Sequence, residues 1–238
     1  MNLPFQRLQA DLSALIDKTG AGERLPSEPE LARRMGVSRA TLREAMRTFE
    51  VQGLIRRRQG SGTFVVGRMP VIEAGLEVLE SLETLAERLG LEITVSDLQI
   101  DTVAAEADTG AALEVNPGTP LTRIRRVMRE ESRPVAFLVD TLAAKTLRAD
   151  QLGPDFRGSV LDFLLKRGVP LQASKAAISA VAAPPGIAKA LEIQRGDVLL
   201  EFVARLYDAD GRILDYSTSH FIPGFFRFHV VRRVRREA

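Results

Sequence analysis

The chain has 238 residues, 45% of them hydrophobic, with 33 Lys+Arg against 31 Asp+Glu and no cysteine. That length supports two modest domains, each with its own core. The lack of cysteine removes disulfides, thiolate catalysis and cysteine metal sites, and two histidines, His220 and His229, leave little for a metal centre. With no run of about 18 uncharged apolar residues and no basic-then-apolar leader, a cytoplasmic protein without a cofactor is expected.

The first element is an amphipathic helix over 5–19, where Phe5, Leu8, Leu12, Leu15 and Ile16 recur at three- and four-residue spacing before Gly20 and Gly22. Ser27 and Glu30 have the spacing of a capping box for a short second helix reaching Met35, with Pro29 tolerated in its first turn. Gly36 supplies a sharp turn, and Ser38 caps a third helix that continues to Phe49. Small Ala32 lets the two helices cross closely, while Val37, Leu42 and Ala45 lock them together, so the spacing is that of a helix-turn-helix. The third helix presents Arg39, Thr41, Arg43 and Arg47, and residues near the start of such a helix reach base edges in the major groove of double-stranded DNA. Two short strands, 53–58 and 63–66, flank Gln59-Gly60-Ser61-Gly62 as a wing whose glycines allow close backbone approach and whose Arg56, Arg57 and Arg58 suit phosphate. Residues 1–68 carry twelve Lys+Arg, eleven of them Arg, against seven Asp+Glu, whereas 69–238 carry 21 against 24. The basic excess is confined to the half with the helix-turn-helix.

Leu25-Pro-Ser-Glu, Glu30-Leu-Ala, Gly36-Val-Ser-Arg, Leu42-Arg-Glu-Ala, Gly53-Leu-Ile and Gln59-Gly-Ser-Gly-Thr-Phe-Val together resemble the signature of the GntR family of transcription regulators over 5–66. The resemblance implies that Arg39 and Arg43 are the main DNA contacts and that Ser38, Ala40 and Thr41 lie at the interface. It also implies that Gly60, beside Gln59 and Ser61, sits at the wing tip in the minor groove. Pro29 stands where the family usually has a DNA-touching Arg, which shifts weight onto Arg39, Arg43 and the wing; Arg47, Arg57 and Arg58 are further expected DNA contacts.

After a linker at 67–74, helices are expected over 76–89, 105–113, 159–166 and 185–191. Strands over 121–129 and 134–142 flank the turn Glu130-Glu131-Ser132-Arg133, and strands over 198–207 and 213–222 flank Asp208-Ala209-Asp210-Gly211, so two antiparallel hairpins are expected. Further strands fit 171–181 and 226–231. The pattern predicts an α+β domain with an antiparallel sheet covered on one face, giving domains at 1–66 and 75–238.

This half is similar to the UTRA domain of the HutC subfamily of GntR regulators, a chorismate-lyase-like fold. The similarity rests on Leu113-Glu-Val-Asn-Pro-Gly-Thr-Pro-Leu, Arg133-Pro-Val-Ala, Asp215-Tyr-Ser and Phe226-Arg-Phe. It implies a homodimer that binds a small-molecule effector and a palindromic DNA operator, acting more readily as a repressor than as an activator. Arg126 and Asp215 match sugar-phosphate-binding positions, but Met128, Leu138 and Phe221 replace an Arg, a Glu and a Tyr there, so a less anionic, more apolar effector is expected. Arg126, Ser159, Asp215 and Tyr216 would hold it, with Phe137, Leu138 and Phe221 as the lining. Core packing of the aromatics and a structural ion pair between Arg126 and Asp215 are the competing readings. A constitutive DNA-binding regulator that only dimerises is the alternative function. A lyase-like enzyme is remote, because no nucleophile completes a triad with Asp215 and His220.

Overall fold

The computed structural model describes residues 3–51, 54–58, 61–66, 72–153, 156 and 158–231. The chain divides into two compact units, 1–71 together with 223–227, and 72–222 together with 228–238. The break at 71/72 falls inside the segment expected as a linker, whereas the assignment of 223–227 to the first unit has no counterpart in the expected boundaries. Among the described residues no helix is long and apolar enough to cross a membrane.

In the first unit, α1 (Leu3–Lys18), α2 (Glu28–Arg34) and α3 (Arg39–Val51) precede β1 (Ile55–Arg58) and β2 (Gly62–Val65). Leu8, Leu12 and Ile16 of α1 share one buried cluster with Leu31 and Ala32 of α2, Leu42, Ala45, Met46 and Phe49 of α3, and Ile55 and Val65 of the strands. The helical periodicity of these apolar positions thus converges on a single core, and Gly36 makes the α2–α3 turn at a φ of 66°. Ser38 caps α3 as expected, its hydroxyl accepting from the Thr41 N–H at 3.1 Å. Ser27 does not form the expected capping box, since its side chain makes no cap hydrogen bond.

The second unit is built on a six-stranded antiparallel sheet in the order β4-β5-β6-β9-β8-β7. Its strands are β4 (Ile93–Ala104), β5 (Pro120–Glu130), β6 (Arg133–Ala143), β7 (Leu171–Ala182), β8 (Val198–Asp208) and β9 (Ile213–Phe221). Short strands β3 (Ile72–Gly75) and β10 (Phe226–His229) lie outside that sheet. Both expected hairpins form, as β5–β6 and β8–β9. The sequence reading did not single out β4, whose solvent-facing polar residues blur its alternation. The helices are α4 (Leu82–Arg88), α5 (Ala107–Leu113), α6 (Val160–Lys166) and α7 (Pro185–Ala190). The helix expected over 76–89 begins only at Leu82, because Ser81 caps it by accepting from the Thr84 N–H at 2.9 Å.

Helices pack on both sheet faces, not one. Val160 and Leu164 of α6 join Ile124, Leu142 and Leu206 in one cluster, while Leu113 of α5 joins Leu121 and Ala143 in another. Leu121 and Ile124 are three residues apart on a regular stretch of β5 and so point to opposite faces.

Candidate functional site

The third helix of the first unit is amphipathic in a way that separates packing from contact. Its buried residues leave Arg39, Ala40, Thr41 and Arg43 exposed. Ser38 and Thr41 are joined through their hydroxyls at 2.8 Å, which fixes the start of the helix. Arg39 carries no ion pair among the described residues. Arg43, by contrast, donates from Nε to Glu28 at 2.6 Å, and Arg47 lies 3.7 Å from Glu44. Glu28 opens α2, so it ties the first turn of that helix to α3.

The wing splits its arginine run by strand alternation. Ile55, Thr63 and Val65 are buried, which turns Arg57 to the same inner side, while Arg56, Arg58 and Phe64 face outward. Arg57 stands 3.5 Å from Glu50 and 4.0 Å from Glu28, and its guanidinium donates to the Arg43 carbonyl at 3.3 Å. Arg58 lies over the Phe64 ring, 5.3 Å from its centroid. Ser61 is exposed at the turn, whereas Gln59 and Gly60 lie outside the described residues. In the network of Glu28, Arg43, Glu50 and Arg57, Glu28→Gln is predicted to release the Arg43 guanidinium for DNA, while Arg57 keeps Glu50. We expect a roughly two- to fivefold gain in affinity for random-sequence duplex and a steeper salt dependence, read by fluorescence anisotropy; a small gain fits ion pairs this exposed.

In the second unit, register decides which of the expected effector residues meet. Arg126 is directly opposite Leu138, Ala136 opposite Phe221, and Leu206 opposite Asp215, which puts Arg126, Leu138, Asp215 and Phe221 on one face, the one α6 covers. Ser159, buried, caps α6 by accepting from the Asp162 N–H at 3.1 Å. Phe137 and Tyr216 occupy the other face: Phe137 is opposite His220, and Tyr216 packs on the cluster around Leu113 and Leu121. Neighbouring residues of one strand cannot line one pocket from the same side, so these two separate from the rest.

On the α6 face Arg126 is buried, 4% exposed, and donates from Nη1 to Asp140. Its Nε stands 3.6 Å from Oε1 of Glu83 on α4, and neither of those atoms has a hydrogen-bond partner among the described residues. Asp215 accepts from the Thr141 N–H at 3.0 Å. One guanidinium therefore sits among three carboxyl groups. Burial raises the pKa of Asp215 well above the usual range, and neighbouring Asp140 adds to the rise; burial also raises Glu83, with Arg126 opposing. On the opposite face His220 lies 3.0 Å from Glu201, and burial lowers its pKa against the pull of that carboxylate.

The profile for bacterial regulatory proteins of the gntR family matches residues 5–65, and that for the UTRA domain matches 88–227. A histidine utilization repressor of Pseudomonas putida is 26% identical over 211 residues, covering 85% of this chain and 83% of that protein. The HTH-type transcriptional regulator Rv0792c of Mycobacterium tuberculosis is 31% identical over 219 residues, covering 88% of this chain and 77% of that one. This chain belongs to the GntR family and carries a UTRA domain. The crystal structure of PhnF from Mycobacterium smegmatis shares the fold, with a TM-score of 0.66 at 22% identity over 96% of this chain and 100% of that one.

A GntR regulator acts on DNA rather than on a substrate. Sequence reasoning missed Glu28, Asp140 and Glu83, the acids that occupy Arg43 and Arg126. Ser27-Glu28-Pro29-Glu30 had suggested local capping, and nothing local ties Glu83 to a strand more than 40 residues later. The raised Asp215 pKa gives this UTRA domain a defined pH response. An acid whose folded pKa lies above its unfolded value binds more protons when folded, so stability is full below the unfolded pKa and falls as pH rises toward the folded one. Asp215→Asn removes that proton-binding difference while keeping an acceptor for Thr141. We expect the variant's melting temperature to decline less than the wild type's above about pH 4, the ordinary aspartate range. Parallel melting curves for the two proteins would contradict the assignment.

Proposed function

We propose that the chain is a cytoplasmic, effector-responsive repressor that binds a palindromic operator as a homodimer. The exposed Arg39 at the first turn of α3, with no ion pair among the described residues, is the observation that carries the DNA-reading half of this proposal. Ser38, Ala40, Thr41, Arg43 and Arg47 complete the helix contribution, and Arg57, Arg58, Gln59, Gly60 and Ser61 the wing. Repression is supported by the histidine utilization repressor, similar along most of its length.

The effector site is the α6 face around Arg126, Leu138, Ser159, Asp215 and Phe221. Three carboxyl groups around one guanidinium oppose a phosphate, which supports a weakly anionic or apolar small molecule. Such a molecule alters DNA binding only if it binds the operator-bound and free arrangements of the dimer unequally. A thermal-shift panel of sugar phosphates, aromatic carboxylates and uncharged metabolites, with operator gel shifts for each hit, tests this. A ligand at 100 times its Kd should add about 2.7 kcal/mol. Tight binding of a phosphorylated sugar alone would overturn the effector class.

The engagement of Arg126 by Asp140 and Glu83 favours a second reading, in which the UTRA domain only dimerises and DNA binding is constitutive. No stabilisation across the panel, together with intact operator binding, would decide for it.

A further inference from the structure

The backbone before α2 belongs to the wing. The N–H of Leu25 donates to the Thr63 carbonyl at 2.8 Å, Val65 N–H to Glu23 at 2.9 Å and Gly22 N–H to Val65 at 2.8 Å, so 22–25 runs beside β2 and is bridged to it at Arg24. Arg24 is paired with Phe64 in that ladder. Cross-strand partners project to one face, so Arg24 shares the outer wing face with Arg56, Arg58 and Phe64.

Its side chain is held there by a missing one. A Cβ on Gly62 would lie 2.5 Å from Arg24 Nε and 3.0 Å from Cζ, so the guanidinium rests directly on the Gly62 backbone at the start of β2. Gly62 also has a φ of 112°, which L side chains rarely adopt. Arg24 is exposed and, among the described residues, carries no ion pair. Arg57 is instead held by Glu28 and Glu50, and Arg58 lies on Phe64. We infer that Arg24, seated on Gly62, is a DNA-contacting residue of the wing, meeting the phosphate backbone beside the recognition helix's site. The inference rests on the helix and wing forming the DNA interface.

The test uses the full chain and two probes: the tightest duplex that the wild type recovers from a random-sequence pool, and a random-sequence duplex. Arg24→Ala should weaken both by roughly three- to tenfold at fixed salt, and lower the slope of log affinity against log salt by about 0.9, the loss of one phosphate contact. The ladder bonds of 22–25 are made by backbone, so the variant should melt with the wild type. Arg24→Lys should retain the slope. Gly62→Ala should reproduce the Arg24→Ala loss, with no further loss in the double variant; additive losses would remove Gly62 from the proposal. Arg212→Ala, at a surface pair with Asp210 in the other unit, should change nothing. Unchanged affinity and slope for Arg24→Ala would overturn the inference if Arg39→Ala still weakens binding. If both variants bind as the wild type does, the interface itself is misplaced.

Discussion

Replacing Arg126 by Met is expected to destabilise the protein by about 3–5 kcal/mol near neutral pH, the range for breaking a buried ion pair by removing one partner. Methionine fills much of the volume left by the arginine stem, so the loss is electrostatic. Asp140 would lose a charge-assisted hydrogen bond, and Asp140, Glu83 and Asp215 would face one another without a cation. Carboxyl groups in that position escape repulsion by taking up protons, so the already raised pKa values of Glu83 and Asp215 rise further. The variant's deficit should therefore shrink as pH falls toward 5 and grow as it rises toward 8. Adding Asp140→Asn and Glu83→Gln to the methionine variant should restore much of the stability, since two of the three uncompensated acids then become neutral. Urea denaturation at three pH values measures all of this. A deficit under about 1 kcal/mol at neutral pH would mean that the carboxyl groups do not depend on Arg126 and that their shared burial has been misread.

The same cluster shows where the sequence was readable and where it was not. Arg126 stands out between Ile124 and Met128 on its face of β5, whereas Asp215 shares its face of β9 with Ser217 and Ser219 and stands out less; the guanidinium does form an ion pair, but with Asp140 and Glu83. Asp140 belongs to β6, and its position opposite Ile124 follows only from the hairpin register. Glu83 comes from a seven-residue helix whose start is set by Ser81, so no strand pattern could place it. Phe137 with Leu138, and Asp215 with Tyr216, are strand neighbours, and alternation alone assigns each pair to opposite faces. In the first unit the core was legible because Leu31, Ala32, Leu42, Ala45 and Met46 follow the helix period and end up in one buried cluster. The wing was harder. Three consecutive arginines have no sidedness until buried Ile55 fixes which of them faces in, and the contribution of 22–25 to the ladder is a long-range pairing without a local signature.

Arg39→Ala should remove about 1–3 kcal/mol of discrimination between a selected operator and random duplex, roughly a 5- to 150-fold drop in the affinity ratio. The argument rests on contrast within α3. Arg43 already has a partner in Glu28 at 2.6 Å, and Arg47 one 3.7 Å away in Glu44, so each must exchange an internal interaction for a DNA contact. Arg39 has no ion pair among the described residues to give up. It is the first residue of α3, directly after the capping Ser38, where a side chain enters the major groove first. A forked guanidinium held there can donate two hydrogen bonds to the O6 and N7 of one guanine, which a lysine point charge cannot reproduce. Arg39→Lys should accordingly keep most of the affinity for random duplex while losing the preference for the selected one. Arg43→Ala should cost less, because its DNA contact is offset by the pair it gives up, and in the Glu28→Gln background its cost should rise. Affinities for both duplexes at one salt concentration measure these effects. Equal losses on selected and random DNA for Arg39→Ala would make it a phosphate contact, and sequence reading would pass to Arg43 and the wing.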